Sequence, residues 1–332
     1  MTELSHGAAR SPPMNFVTSR RRPVTTTGGA AQGVVSVSEN TLEREREVET
    51  EGLWHRLGGV SQFVYWTIHA GCLLALATGV GAFEIALCLG LFWVRLFGIT
   101  GGYHRYFAQK AFRTSRGVQL VLAILGCAAV QKGPLWWAGG HRRHHRNSDR
   151  PEDLHSPRRG FWWAHQGWIF DGRFDETEIE RIGDFAAYPE LVWLNRWHIV
   201  VPLTLAATCY AVGGLPGLVW GFCISTTLLW HATYSINSLA HRWGKQRYAT
   251  GDDSRNNFWL ALLTLGEGWH NNHHHYMASA RQGFFWWEID ITYYVLRGLQ
   301  AAGLIWDVRE PPASMVRPKS SRATESESRL AA

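Results

Sequence analysis

The sequence predicts an all-α integral membrane protein, with four transmembrane helices in two hairpins and a cytoplasmic helical cap that carries clustered histidines. Three observations predict it. Four apolar runs with almost no charge lie between polar ends, each near the roughly 20 residues that a bilayer crossing needs. Tryptophan, 18 in 332 residues, flanks and fills these runs, as suits rings that sit at headgroup level. Basic side chains gather on one side of the runs, and so do the histidines.

Taken in order, residues 1–50 read as a disordered tail rich in Ser, Thr, Gly, Pro and Arg, with Arg20, Arg21 and Arg22 together and a short charged helix over 41–51. The structured domain spans 55–306. Its first span, 60–83, has no formal charge and one histidine, His69. The second, 82–103, holds Glu84 and Arg95, both placed where a side chain can reach the interface. The run 117–131 is short for a crossing and reads as interfacial or re-entrant. The third and fourth spans, 197–215 and 216–236, meet at Gly213-Gly214-Leu215-Pro216-Gly217, a turn signal. The run 284–306 carries Glu288, Asp290 and Arg297 and reads as an amphipathic helix lying on the membrane. Residues 311–332 read as a second disordered tail.

The linkers inside the two hairpins are almost uncharged, whereas the opposite side carries Arg105, Lys110, Arg113, Arg116, Arg142, Arg143, Arg146, Arg242, Lys245 and Arg247. The positive-inside rule makes that side cytoplasmic, and a bacterial inner membrane is the expected location. With 33 Lys+Arg against 27 Asp+Glu, the net charge of +6 suits an anionic surface. Nucleic acid is not an expected partner, because only the arginine-rich tail speaks for it. Five cysteines, all inside apolar runs, form neither a disulfide framework nor a thiolate zinc site. A coiled coil, a collagen, a small secreted scaffold and a wholly disordered chain are excluded by composition. The first apolar run begins too late for a cleavable signal.

The histidines carry the chemistry. His104 follows the second span, and His141, His144 and His145 read H-R-R-H-H. His241 follows the fourth span, and His270, His273 and His274 read H-N-N-H-H, with His275 next. Residues i, i+3 and i+4 share one face of a helix, so each triplet can turn imidazoles toward metal. Eight imidazoles are too many for one ion and suit two. Ligand type alone leaves zinc, copper, iron and nickel open.

The segments G-I-T-G-G-Y-H-R-Y-F (98–107), H-R-R-H-H (141–145), N-S-L-A-H (237–241) and G-E-G-W-H-N-N-H-H (266–274) resemble the membrane fatty-acid desaturases, most closely the acyl-CoA Δ9 (stearoyl-CoA-type) group. The stretch 153–168 resembles that group's linker, and the likeness covers roughly 55–305. It implies an enzyme that uses dioxygen and two electrons to insert a cis double bond, at Δ9, into a saturated acyl chain. It implies two iron ions held by His104, His141, His144, His145, His241, His270, His273 and His274, with a water held by Asn237. A hydroxylase or ketolase of the same histidine-box superfamily is the rival reaction.

Two departures from the family pattern matter. The first box normally reads H-x-x-x-x-H, but Gln109 stands at its second histidine. A Gln carbonyl can bind iron weakly. The consequences open at this point are a retained site with Gln109 at or near one iron, a weakened metal-binding relative, a substitute ligand such as His275, or a changed reaction. Before the second box, Gly139-Gly140 replaces the Arg-Asp typical of animal and fungal acyl-CoA enzymes. Arg158 and Arg159 remain for a phosphate-bearing head group, so acyl-CoA and acyl-lipid substrates both stay in view. Asp149, Asp153 and Glu267, close in sequence to the ligands, suit the far N–H of ligand imidazoles. Trp136, Trp137, Trp230 and Trp269 are candidate walls of an acyl tunnel. Neither a fused cytochrome b5 signature nor a dinucleotide fingerprint occurs, so a separate ferredoxin-like or cytochrome b5-type donor would dock on the basic face.

Overall fold

The computed structural model describes residues 59–316; the predicted N-terminal tail, and the C-terminal one from 317, lie outside the described residues. Helix α1 (Gly59–Cys72) is followed by a short helical turn, Ala75–Thr78. Helix α2 (Ala82–Phe97) starts from an extended Gly81 whose N–H donates to Glu84 Oε2 at 3.0 Å. The carboxylate thus sits at the positive end of the helix. α2 runs without a break into a π-helix, Gly98–Ala108, giving one apolar helix of 27 residues.

Helix α3 (Arg116–Cys127), capped by Ser115, packs its Leu122–Ala123 face against the π-helix. Helix α4 (Pro134–Asn147) opens with proline, whose missing N–H costs nothing at a helix start. Short turns lead to α5 (Pro189–Arg196). Helix α6 (Val200–Gly217), a π-helical stretch (Leu218–Ile224), α7 (Ser225–Ser238) and a 3-10 turn (Leu239–His241) follow one another directly.

This last stretch is not straight. Gly214 has φ 61° and ψ −153°, a conformation that excludes a side chain. The Cys209 carbonyl lies 2.5 Å from where a Cβ on Gly217 would be, an approach open only to glycine. Residues eight apart on a continuous helix are about 12 Å apart along the axis. The chain therefore doubles back at the turn read from Gly213–Gly217.

Two helical stretches among the described residues are long and apolar enough to cross a membrane, Ala82–Ala108 and Val200–His241, the second interrupted at Gly214. The run 60–83 is divided instead: 14 helical residues, an irregular step, then four more. Arg95 corrects the sequence reading. It does not reach an interface; it is 1% exposed and donates to the Ala128 carbonyl (3.2 Å), Thr226 Oγ1 (2.7 Å) and Ser225 Oγ (2.5 Å), tying α2 to α7. Buried donors of this kind need such acceptors. The run 284–306 is also less regular than expected. Only α8 (His270–His275), just before it, and α9 (Ile291–Ala301), within it, are helical here. Glu288 and Asp290 are buried, with Asp290 capping α9 at Tyr293 N (3.0 Å). Two residues, β2 (Ile305–Trp306), then pair antiparallel with β1 (Arg113–Thr114). The six described residues from 311 end in a helical turn, Ala313–Val316.

Candidate metal centre

Four elements deliver the eight histidines to one place. The π-helix presents His104, the 3-10 turn after α7 presents His241, and α4 and α8 each carry a triplet. The imidazoles form two groups of four, each with ligand nitrogens within 4.8 Å of one another: His104, His141, His145 and His273, and His144, His241, His270 and His274. Each triplet is split the same way. On α4 the i, i+4 pair His141 and His145 enters the first group and His144 the second; on α8 the pair His270 and His274 enters the second and His273 the first.

In the first group Nε2 atoms approach at 3.0 Å (His104–His273), 2.8 Å (His273–His145) and 2.9 Å (His145–His141). In the second they approach at 3.0 Å (His241–His270) and 3.4 Å (His144–His274).

Carboxylates fix the tautomers. His104 Nδ1 lies 2.5 Å from Glu267 Oε2, His144 Nδ1 3.0 Å from Asp153, His241 Nδ1 3.1 Å from Asp149 Oδ2 and His274 Nδ1 2.6 Å from Asp252 Oδ2. Each Nδ1 therefore carries the hydrogen, and each Nε2 presents a lone pair inward. With both imidazoles neutral, the His144–His274 pair cannot be a hydrogen bond, because neither Nε2 carries a proton. Ligand nitrogens about 2.0–2.1 Å from a shared first-row ion stand roughly 3 Å from one another, which is the spacing found. The donor set thus fits two metal ions.

Burial, then the neighbouring imidazoles, hold His141, His145, His270 and His273 well below the ordinary imidazole range. They are neutral ligands at pH 7. Burial also pushes His274 down, to about 4, against the pull of Asp252. At His144 burial works the same way but is outweighed by Asp153, so its pKa is raised. Asp153 and Asp252 are held below the usual carboxylate range: burial opposes this, and the histidines beside them prevail.

Asn237 faces a cavity of about 60 Å³ shared with His104, His141, His144 and His270, room for a water beside both groups. Gln109 is half-buried at the end of the π-helix, where its N–H donates to the His104 carbonyl at 3.0 Å, an i to i+5 bond. Each histidine group has four imidazoles without it. His275 is in neither group; it stacks on Tyr248 and reaches the Met315 carbonyl.

A second cavity, about 570 Å³, reaches His141, His155 and Asn237 and is walled by Trp136, Trp137, Trp168, Trp230 and Tyr65. Trp269 is not part of it, being buried with its N–H on the Ile289 carbonyl. Arg158 and Arg159 are also elsewhere: Arg158 pairs with Asp253 at 2.9 Å, and Arg159 lies over the Trp163 ring at 3.4 Å. The cations lining the cavity are Lys132, Arg143 and Arg173.

Sequence reasoning missed three participants. Asp252 lies 22 residues before its histidine, in a turn with no motif. His155 is buried with its ring 4.4 Å from that of His144. Arg105, 0% exposed, bridges Glu267 (3.1 Å) and Asp290 (2.9 Å) and donates to the Ala280 carbonyl (2.6 Å). Its place next to His104 was the only available signal.

Residues 85–307 match the fatty acid desaturase family. The chain is 38% identical over 299 residues (88% of this chain, 80% of the relative) to a chloroplastic palmitoyl-monogalactosyldiacylglycerol delta-7 desaturase of Arabidopsis thaliana. It is 39% identical over 236 residues (69% and 82%) to an sn-2 palmitoyl-lipid 9-desaturase of Nostoc sp. (strain 36). It is 34% identical over 291 residues (86% and 93%) to an acyl-CoA C20 Delta5-desaturase of Anemone leveillei.

Proposed function

The chain belongs to the fatty acid desaturase family, a family of membrane-associated oxidoreductases, and from that premise we propose that it inserts a cis double bond into a saturated acyl chain at two histidine-held iron ions. The observation that carries this reading is the pair of four-histidine groups, each complete without Gln109. It favours a retained site over a weakened one. The two ions would supply reductive activation of dioxygen and the oxidising power to take hydrogen from unactivated C–H bonds.

The protein's share is to bind, orient and shield. The cavity of about 570 Å³ is within the range of small-molecule sites and would hold an acyl chain along Trp136, Trp137 and Trp230. His141 and Asn237 line it, so the carbons to be oxidised lie beside the histidine groups. Positioning of that kind is worth several kcal/mol of barrier. Asn237 orients a water, and the carboxylates keep the Nε2 atoms of His104, His144, His241 and His274 free of protons.

The head group we favour is a neutral or zwitterionic lipid rather than CoA. Each cation at the cavity has an acidic partner: Lys132 pairs with Asp175, Arg143 with Glu178 at 3.0 Å and Arg173 with Asp171 at 2.5 Å. None is spare for a CoA phosphate. Two relatives are named for lipid-bound palmitoyl chains, which agrees. Relatives named for delta-7, 9 and Delta5 positions leave the double-bond position to the motif resemblance, which points to Δ9. Two hairpins crossing the membrane, the histidine side in the cytoplasm of a bacterial cell, and a separate ferredoxin-like or cytochrome b5-type electron donor complete the proposal.

The test is a fatty-acid profile by gas chromatography–mass spectrometry in a desaturase-deficient host. New monounsaturated chains on membrane lipid are expected from the wild type and from Gln109→His, and none from His144→Ala. Product from Gln109→His alone would overturn the claim of a retained site. Hydroxylated chains would overturn desaturation itself.

A further inference from the structure

The two histidine groups are chemically unequal. Behind the group of His144, His241, His270 and His274 stand three carboxylates, Asp153, Asp149 and Asp252, one on each of three Nδ1 atoms. No Lys or Arg forms an ion pair with any of the three among the described residues. Their other hydrogen-bond partners are neutral donors instead, and Asp149 Oδ1 is buried with no partner. Asp149 accepts from Asp253 N (2.6 Å), Asp153 from Asp149 N (3.0 Å), and Asp252 from Thr250 Oγ1 (2.6 Å) and Ser254 N (3.1 Å).

Behind the group of His104, His141, His145 and His273 stands one carboxylate, Glu267, on His104. Its charge is shared with the buried guanidinium of Arg105 at 3.1 Å. One Nδ1 in each group, His273 here and His270 in the other, is buried without any partner, so the difference lies in the carboxylates and in Arg105. A carboxylate behind an imidazole fixes its tautomer and raises its basicity toward metal, and nearby negative charge stabilises a cation in a site that excludes water. A nearby guanidinium does the opposite.

We propose that the two sites bind metal with unequal strength. The ion at His144, His241, His270 and His274 binds first and leaves last, and Asp252, with Asp149 and Asp153, is the positioning carboxylate that makes it so. The ion at His104, His141, His145 and His273 is the labile one. This rests on the reading that both groups hold metal. Removing one such partner typically costs about 10- to 100-fold in metal affinity, and the two groups differ by two partners, so the sites differ by at least about tenfold.

The test is graded chelation of the detergent-purified holoenzyme, with retained metal counted by mass spectrometry, repeated on protein reloaded with Zn2+ as a redox-silent probe. The expected release has two steps of one equivalent each, separated by at least about tenfold in chelator. His141→Ala should abolish the early step and His241→Ala the late one. Asp252→Asn should move the late step about 10- to 100-fold toward the early one, and Glu267→Gln should leave the late step where it is.

Release of two equivalents in one step overturns the proposal. So does a late step that survives His241→Ala, or one unmoved in folded Asp252→Asn protein. If Asp252→Asn does not fold, the wild-type release and the two ligand variants decide. Protein that retains no metal in any form refutes the underlying metal reading instead.

Discussion

Arg105 offers a perturbation whose size can be worked from the structure. It is 0% exposed and makes charged contacts to Glu267 at 3.1 Å and Asp290 at 2.9 Å. Arg105→Met keeps a similar stem but removes the cation, leaving two buried carboxylates facing each other's field. Breaking one side of a buried pair costs about 3–5 kcal/mol, mostly because a charge is left uncompensated. For a domain of this size each kcal/mol shifts the melting temperature by roughly 2–4 °C, so a fall of roughly 6–20 °C is expected. Thermal denaturation of the detergent-purified protein reads it. The double variant Arg105→Met, Glu267→Gln removes one of the stranded charges. It should recover on the order of 1–3 kcal/mol relative to additivity, the range for residues sharing one network. A loss under about 1 kcal/mol for the single variant, or strict additivity in the cycle, would refute the claim that the pair is buried and mutually dependent.

Three further outcomes follow from particular groups. Gly214→Ala places a side chain at φ 61° and ψ −153° and should cost about 1–3 kcal/mol; an unchanged melting temperature would contradict the turn. Burial pushes the imidazoles of His155 to about 3 and His274 to about 4, below the unfolded value near 6.5, so on acidification the unfolded chain takes up protons first. The metal-free protein should therefore keep its full stability above about pH 6.5 and lose it progressively toward pH 4, and a flat melting temperature across that window would be inconsistent with buried neutral imidazoles. Gln109→His should leave the number of metal ions retained per chain unchanged, and a gain of one equivalent would show that a site is incomplete without it.

Much of the centre was legible in the sequence because helical spacing is rigid. H-x-x-H-H on a helix puts three imidazoles on one face, and both triplets lie on helices, His141–His145 in α4 and His270–His274 in α8. Spacing does not say which imidazole turns toward which neighbour. The crossed assignment of the i+3 residue, His144 to one group and His273 to the other, comes from how α4 and α8 face each other. Asp149, Asp153 and Glu267 were within reach of reasoning because they adjoin the histidines; Asp252 was not, because a turn far from His274 brings it in.

Arg95 shows the opposite limit. A charge in an apolar run is read by its distance from the run's end, whereas its true partners, Ser225 and Thr226, are some 130 residues away in α7. Arg158 and Arg159 have the chemistry for phosphate, but their place outside the lining of the large cavity, Arg158 beside Asp253 and Arg159 over the Trp163 ring, comes from tertiary packing that spacing does not encode. The Gly213–Gly217 turn was legible because glycines beside a proline mark a break in an apolar helical run, and Gly214 takes a positive φ there.

The most direct test of the central claim is the ratio of dioxygen consumed to double bonds formed. It is measured on the purified enzyme in lipid bilayers containing saturated acyl lipid, with a reduced ferredoxin as donor. Histidine-held desaturation predicts one dioxygen per double bond, on intact lipid, lost in both His144→Ala and His273→Ala. Dioxygen uptake with a hydroxylated product, or double bonds that persist in either variant, would contradict it.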